Sequence, residues 1–302
     1  MTFDQAASGF EIRVESFAQA VDVGARTAVF SPWVVDVERF GLVVRGVIWG
    51  IVGVVATGVA AGIAVRALDL QGAIALIASN PWRLPVAGTA TLGLVAYALW
   101  GYARAIFDPL GRGHRLNGLL ARLGFLWSAF SYSALSFFAA QLALGGMAGA
   151  GSTLPFGLEQ SLHRLGPGAV VAAGVLVSFT GLGQFTDSWR APFRDDVRLR
   201  ASHHRLWLSW LWLGRFGTFS RGVVFTGIGA ATILAGLRGD AHWAYGIAEF
   251  FSFVVGLPAG AYVIAVVACG FVALGLHSVM AAPWMRMRPN SLGLHRVPQE
   301  VQ

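Results

Sequence analysis

The sequence contains no lysine and a single cysteine, and only 12% of its residues are charged. Soluble domains carry about 25% charged residues, so this shortage excludes an ordinary water-soluble fold. Cys269 stands alone in an apolar run, which excludes an intrachain disulfide and a thiolate metal site. The net charge of +7 comes from 22 arginines that are scattered along the chain. Because these arginines do not form a basic face interleaved with aromatic residues, nucleic acid is not an expected partner.

Apolar residues make up 56% of the chain, and its mean hydropathy is +0.63. Uncharged runs occupy 46–65, 84–103 and 165–186. A helix of about 20 apolar residues crosses the ~30 Å hydrocarbon core of a bilayer. The pattern therefore predicts an all-α, polytopic membrane bundle. Its six transmembrane helices are predicted at 40–65, 84–107, 119–145, 166–187, 211–237 and 257–283.

A motif recurs at the start of the odd-numbered predicted helices. It has an arginine, a glycine two residues later, and an arginine–glycine pair at offsets six and seven. The copies are Arg39-Phe40-Gly41 with Arg45-Gly46, Arg122-Leu123-Gly124 with Ser128-Ala129, and Arg215-Phe216-Gly217 with Arg221-Gly222. The middle copy departs from the pattern, because serine and alanine replace the second arginine and glycine. Three units with matching spacing predict three tandem two-helix repeats in a pseudo-threefold arrangement.

The repeated helices also share one face of small and aromatic residues. Ten residues after the first motif arginine, each helix has an aromatic residue: Trp49, Tyr132 and Phe225. Fourteen residues after it, each helix has a small residue: Gly53, Ser136 and Gly229. In lipid, small residues allow helices to approach closely and so drive their packing. Helix–helix contact is therefore predicted at four glycines: Gly46, Gly53, Gly222 and Gly229.

The repeated unit, followed by a second helix that contains Gly93, Tyr97 and Trp100 and ends at Asp108-Pro109, resembles a bacterial membrane family. This family is catalogued as domain of unknown function 1206, and the resemblance covers 39–285. It implies three two-helix units with six spans, and it implies no reaction. The chain is accordingly divided into a cytoplasmic N-terminal segment at 1–38, repeats at 39–110, 119–190 and 210–285, and a cytoplasmic tail at 286–302.

All but four of the 22 arginines fall on one side of the predicted topology. Positive residues are retained on the cytoplasmic side, so both termini are predicted to be cytoplasmic in a bacterial plasma membrane. Each repeat also has a short, mildly apolar segment between its helices, at 72–79, 157–164 and 246–254. These segments are too short to span, and whether they lie in the interface or re-enter the membrane is left open. Glu249 in the third is either a solvated interfacial acid or an outer gate.

Arg45 and Arg221 lie about 9 Å deeper along their helices than the first arginines of their motifs. A charge in the membrane is costly and should find a partner. Either these arginines bind an anion or a lipid phosphate, or they snorkel and bind carbonyls at the end of a neighbouring helix. Arg104 and Asp187 occupy equivalent repeat positions and are predicted to form an ion pair. We predict one polar cluster of these four residues at the cytoplasmic end of the bundle.

The sequence has no nucleotide-binding or hydrolase motif, so neither an enzyme, a cofactor nor a metal site is predicted. His277 has no second histidine in a facing span, which favours a packed side chain over a metal ligand. The first functional hypothesis is a non-catalytic scaffold or subunit that binds the bilayer, an anionic lipid or a membrane protein. The alternative is a small transporter or channel with a cationic cytoplasmic vestibule. A third, an enzyme acting on lipids, lacks a nucleophile–base pair.

Overall fold

The computed structural model describes residues 32–64, 66–78, 81–108, 113, 115–145, 166–197, 204–239 and 246–285. These residues form helices and no sheet, apart from a single bridge between Val197 and Met285. In chain order the helices are α1 Pro32–Ala60, α2 Leu70–Ile77, α3 Arg83–Phe107, α4 Leu116–Ala143, α5 Pro167–Arg190, α6 His204–Arg238, α7 Ile247–Val255 and α8 Gly260–Ala281. All except α2 and α7 are long and apolar enough to cross a membrane. The predicted all-α membrane bundle with six spans is thus confirmed.

Two of the predicted spans begin later than the helices that contain them. Helix α1 begins at Pro32 instead of residue 40, and α6 begins at His204 instead of residue 211. Proline suits the first turn of a helix, because its missing N–H would have no partner there. Hydropathy identifies only the part of a helix that hydrocarbon covers, so it misses polar turns that continue beyond the membrane.

Helix α1 ends earlier than predicted, at Ala60, because the chain reverses in a Schellman motif. Gly62 adopts a φ of +71°, which glycine tolerates without a steric penalty. The amide of Ile63 donates to the carbonyl of Gly58 over 2.8 Å, and the amide of Gly62 donates to that of Val59 over 3.0 Å. These bonds satisfy the terminal carbonyls of the helix and turn the chain towards α2.

The six long helices pack in the order α4, α3, α1, α8, α6, α5, with the largest contacts between α5 and α6, α8 and α1, and α3 and α4. Each of these three pairs joins the first long helix of one predicted repeat to the second long helix of the repeat before it. For the first repeat, the partner comes from the third repeat, so α1 packs on α8. Smaller contacts join α1 to α3 and α6 to α8. Among the described residues, α4 and α5 have no comparable contact. The order is the one that a threefold repeat would give, although the repeat itself stays a prediction.

Helices α2 and α7 pack on the bundle at the end away from the motif arginines. Ile74 of α2 and Phe251 of α7 are fully buried. The carboxylate of Asp69 accepts the amide of Gly72 over 2.6 Å and so caps α2. These helices correspond to the first and third short segments, whereas the second, at 157–164, lies outside the described residues.

Glu249 has local partners at the start of α7. Its Oε1 lies 3.6 Å from Nη2 of Arg66, and its Oε2 accepts the amide of Gly246 over 3.2 Å. The Arg66 side chain is 67% exposed, so this ion pair contributes little to stability. Glu249 therefore helps to begin α7, and these contacts account for it without an outer gate.

Candidate functional site

Arg45 lies inside the bundle and is only 7% exposed. Its Nε donates to the hydroxyl of Tyr132 over 2.9 Å, and its Nη1 donates to Oγ of Ser278 over 2.7 Å. The guanidinium carbon lies 5.2 Å from the ring centroid of Tyr97. The indole N–H of Trp49 also donates to Tyr132, over 2.8 Å. Arg45 thus does not snorkel to water; it is held by neutral side chains from α3, α4 and α8.

Arg221 reaches the same cluster from α6. Its Nε and Nη2 both donate to Oε1 of Gln184 on α5, the first over 3.1 Å. Its guanidinium carbon lies 5.9 Å from the ring centroids of both Trp49 and Phe225. Trp49 in turn donates to Tyr132, which also accepts from Arg45. The two arginines therefore converge within the bundle.

Arg104 completes the cationic cluster, which we define as Arg45, Arg104 and Arg221. Its guanidinium carbon lies 4.7 Å from the ring centroid of Phe125 on α4 and 5.6 Å from that of Tyr97. Arg45 and Arg104 therefore lie against the same tyrosine ring. Nε of Arg104 and Nε1 of Trp100 are buried and have no acceptor among the described residues. The cluster therefore retains hydrogen-bond donors that an anion could occupy.

Two acids lie at the same end of the bundle. Asp187 is exposed near the end of α5, about one turn beyond Gln184, which accepts from Arg221. Glu38 of α1 is only 1% exposed, and sequence reasoning missed it. Its spacing from Arg45 and Trp49, two and three turns along one helix face, was the available signal. With both acids counted, the three cations still leave an excess of positive charge. The ion pair predicted between Arg104 and Asp187 stays a prediction.

The first arginines of the three motifs have a different role, and we call them the rim arginines. Each donates to backbone carbonyls at or just beyond the C-terminal end of the long helix packed beside it. Arg39 donates to Pro283 O (3.3 Å), Arg122 to Ala105 O (2.7 Å) and Ile106 O (2.9 Å), and Arg215 to Trp189 O (3.3 Å). A cation at a helix C-terminus also complements the helix dipole. The rim arginines thus satisfy carbonyls that end their neighbours α8, α3 and α5.

The four glycines predicted at helix contacts each face a neighbouring helix at close range. A Cβ added at any of them would come within about 3 Å of that helix. The nearest atoms are Gly275 O for Gly46 (2.8 Å), Val272 N for Gly53 (2.6 Å), Phe185 Cε1 for Gly222 (3.0 Å) and Ser178 Oγ for Gly229. The first two neighbours lie on α8 and the last two on α5.

His277 is packed, as its isolation in the sequence indicated. Its Nδ1 lies 3.0 Å from the carbonyl oxygen of Trp210, whose indole N–H donates to the carbonyl of His277 over 3.1 Å. The two rings stack with centroids 4.5 Å apart. Among the described residues, no three histidine, cysteine or acidic side chains come together in a group that could hold a metal ion.

An aromatic layer closes the cluster on the side of α7. Trp49 meets Phe271 edge to face with centroids 4.8 Å apart, and Phe271 lies 5.8 Å from Phe251. These three side chains are at most 2% exposed. The polar groups described above therefore lie at one end of the bundle, with an apolar core behind them.

Comparison with known proteins confirms the family resemblance. The model of the family described as Domain of Unknown Function (DUF1206) matches residues 216–284, which include most of α6 and all of α8. The chain is also similar to Uncharacterized protein YxxB of Bacillus subtilis (strain 168). The two are 24% identical over 256 residues, which cover 85% of this chain and 93% of the relative. No solved structure matches the chain. The comparisons thus support a membrane protein of unknown function.

Proposed function

We propose that this protein is a non-catalytic membrane protein that binds a phosphate-bearing anion at the cationic cluster. The observation that carries the proposal is the convergence of three arginines on adjoining aromatic side chains: Arg45 and Arg104 on Tyr97, and Arg221 on Trp49. The cluster lies level with the last turns of α3 and α8, which carry Arg104 and Ser278, a hydrogen-bond partner of Arg45. The arginine distribution supports our assignment of this end to the cytoplasmic face of a bacterial plasma membrane, with both termini inside.

The charge in the cluster exceeds what packing requires. Arginine within a membrane is costly unless it is paired or hydrated. The described hydrogen-bond acceptors of Arg45 and Arg221 are neutral: Tyr132, Ser278 and Gln184. Aromatic rings stabilise the guanidinium groups without cancelling their charge. A bound anion would provide the missing negative charge.

Phosphate suits the cluster because a guanidinium presents paired N–H donors to its oxygens. The cytoplasmic leaflet supplies phosphate as anionic lipid headgroups. The function that we favour is therefore a scaffold or subunit that holds a lipid, with another membrane protein as a further partner. The tyrosines, glutamine and serine around the arginines contribute no nucleophile–base pair, which supports a role without catalysis.

The aromatic layer favours binding over transport. A transporter or channel needs a polar route that continues past the site, and such routes in membranes are lined by polar or ionisable groups. Behind the cluster, the described core instead contains Trp49, Phe271 and Phe251. A small transporter with a cationic vestibule remains the alternative hypothesis.

The proposal is tested with Arg45→Gln and Arg221→Gln, each purified in mild detergent and analysed by native mass spectrometry. Loss of one charge-assisted contact should lower the retained anionic lipid about tenfold, which corresponds to ~1.4 kcal/mol. Arg122→Gln is the matched control, because it removes the same charge from a rim arginine. Equal lipid in the control and the two cluster variants would refute the proposal.

A further inference from the structure

Among the described residues, helices α4 and α5 make no extensive contact although they are consecutive spans, and we call the space between them the seam. In α1, a Cβ on Gly41 would lie 2.7 Å from the amide nitrogen of Tyr97 on α3. In α6, a Cβ on Gly217 would lie 2.7 Å from Leu274 on α8. Gly124 holds the equivalent motif position in α4, and a Cβ there would meet no described atom within 4 Å. The close contact made twice elsewhere is therefore missing between α4 and α5.

Both walls of this seam carry groups that adjoin the cationic cluster. On α4, the ring of Phe125 lies beneath Arg104, and the hydroxyl of Tyr132 accepts from Arg45. On α5, Gln184 accepts from Arg221. Both helices that border the seam thus present partners of the cluster. A group that enters the seam from lipid would meet the cluster.

Ser128 stands where the pattern would place a third motif arginine. The next residue, Ala129, packs on α3, because a Cβ on Gly101 would lie 2.8 Å from its Cβ. Gly46 and Gly222 likewise approach a glycine of the neighbouring helix, Gly275 and Gly181 respectively. The position after the second motif residue thus packs near a glycine in all three helices, and Ser128 holds the motif position of Arg45 and Arg221. The short serine side chain does not fill the space that an arginine side chain would occupy there.

We propose that an anionic phospholipid enters laterally through the seam between α4 and α5 and sets its phosphate beside Ser128, where the third arginine would lie. This inference rests on the proposed anion site and adds its ligand and its route. The excess positive charge, and the buried donors on Arg104 and Trp100 without a described acceptor, give the phosphate its binding partners. The exposed apolar residues of α4 and α5, among them Leu126 and Leu182, give the acyl chains a lipid-like surface.

The route is tested with the full-length protein in nanodiscs that contain phosphatidylglycerol with a photoreactive acyl chain. Cross-linked peptides should map to 116–143 and 167–190, and excess unlabelled phosphatidylglycerol should suppress them. Labelling confined to the apolar groove between α5 and α6, which includes Trp212 and Phe216, would overturn the route. Stronger competition by inorganic phosphate than by phosphatidylglycerol would assign the site to a soluble anion, and would also overturn it.

The position of the phosphate is tested with Ser128→Arg. If the phosphate occupies this place, a third arginine displaces it, and lipid retention falls about tenfold although positive charge has been added. Leu120→Arg adds the same charge at an exposed position of α4 and should not lower retention. Equal or greater retention in Ser128→Arg, with retention still reduced in Arg221→Gln, would overturn this inference alone. Unchanged retention in Arg221→Gln would overturn the proposed function itself.

Discussion

Replacing Gly53 with alanine tests how closely α1 and α8 approach. The added Cβ would lie 2.6 Å from the amide nitrogen of Val272 and 2.8 Å from the carbonyl oxygen of Ala268. Both atoms belong to the backbone of α8, so no side-chain rotation can relieve the contact. The helices must separate by roughly 1 Å, and the dispersion contacts along their interface weaken as a result. Overpacking of this kind costs about 1–3 kcal/mol.

The matched control is Gly50→Ala, one turn earlier on the same helix. A Cβ at Gly50 would have no neighbour within 4 Å. Alanine is more favourable than glycine within a helix by about 1 kcal/mol, so this variant should be at least as stable as the unchanged protein. Because both variants gain this helix propensity, their free energies of unfolding should differ by the overpacking cost alone, about 1–3 kcal/mol.

The comparison is made by thermal unfolding of both variants in one detergent, followed by circular dichroism. Gly53→Ala should unfold several degrees below Gly50→Ala, and Gly53→Leu should unfold lower still, because its side chain extends further into the same contact. Equal midpoints for the two alanine variants would refute the argument. That result would mean that α1 does not rest on the backbone of α8 at Gly53.

Two further predictions concern the cluster and the topology. Tyr132→Phe removes the hydroxyl that accepts from both Arg45 and Trp49, and it should lower the free energy of unfolding by about 2 kcal/mol. The control Tyr262→Phe, at a 77% exposed position, should leave the free energy of unfolding unchanged. Equal stability of the two variants would contradict a central role for Tyr132 in these hydrogen bonds. Reporter fusions at Gly151 and Gln302 should read outside and inside respectively, and identical readings at the two sites would rule out six spans with both termini inside.

The existence of the spans could be predicted because it depends on composition and length. The shortage of charge and the apolar runs indicated six membrane helices, and the structure has six of sufficient length. The first turns of α1 and α6 were missed because they extend beyond the apolar run. Trp207 and Trp210 in the first turns of α6 are buried by tertiary packing that a hydropathy window does not detect.

The partners of the arginines could not be predicted from the sequence. Arg45 bonds to Tyr132 and Ser278, which lie 87 and 233 residues away along the chain. The spacing identified the arginines but not the residues that meet them, because those contacts depend on which helices are neighbours. Arg221 and Gln184 were each noticeable as polar residues in apolar helices, yet only their proximity shows that they bind each other.

The rim arginines and the cluster arginines bond to different kinds of groups, and this difference is the strongest reason to assign a function to the cluster. Rim arginines such as Arg122 bond to carbonyls that end neighbouring helices, a structural need at every helix C-terminus. Arg45 and Arg221 meet no such need, because their described bonds go to neutral side chains. Buried polar pairs can often be replaced by well-packed apolar residues without loss of stability. Folding alone therefore does not explain three cations inside the bundle. Binding of an anion that reaches them from the membrane, as we propose, would explain them.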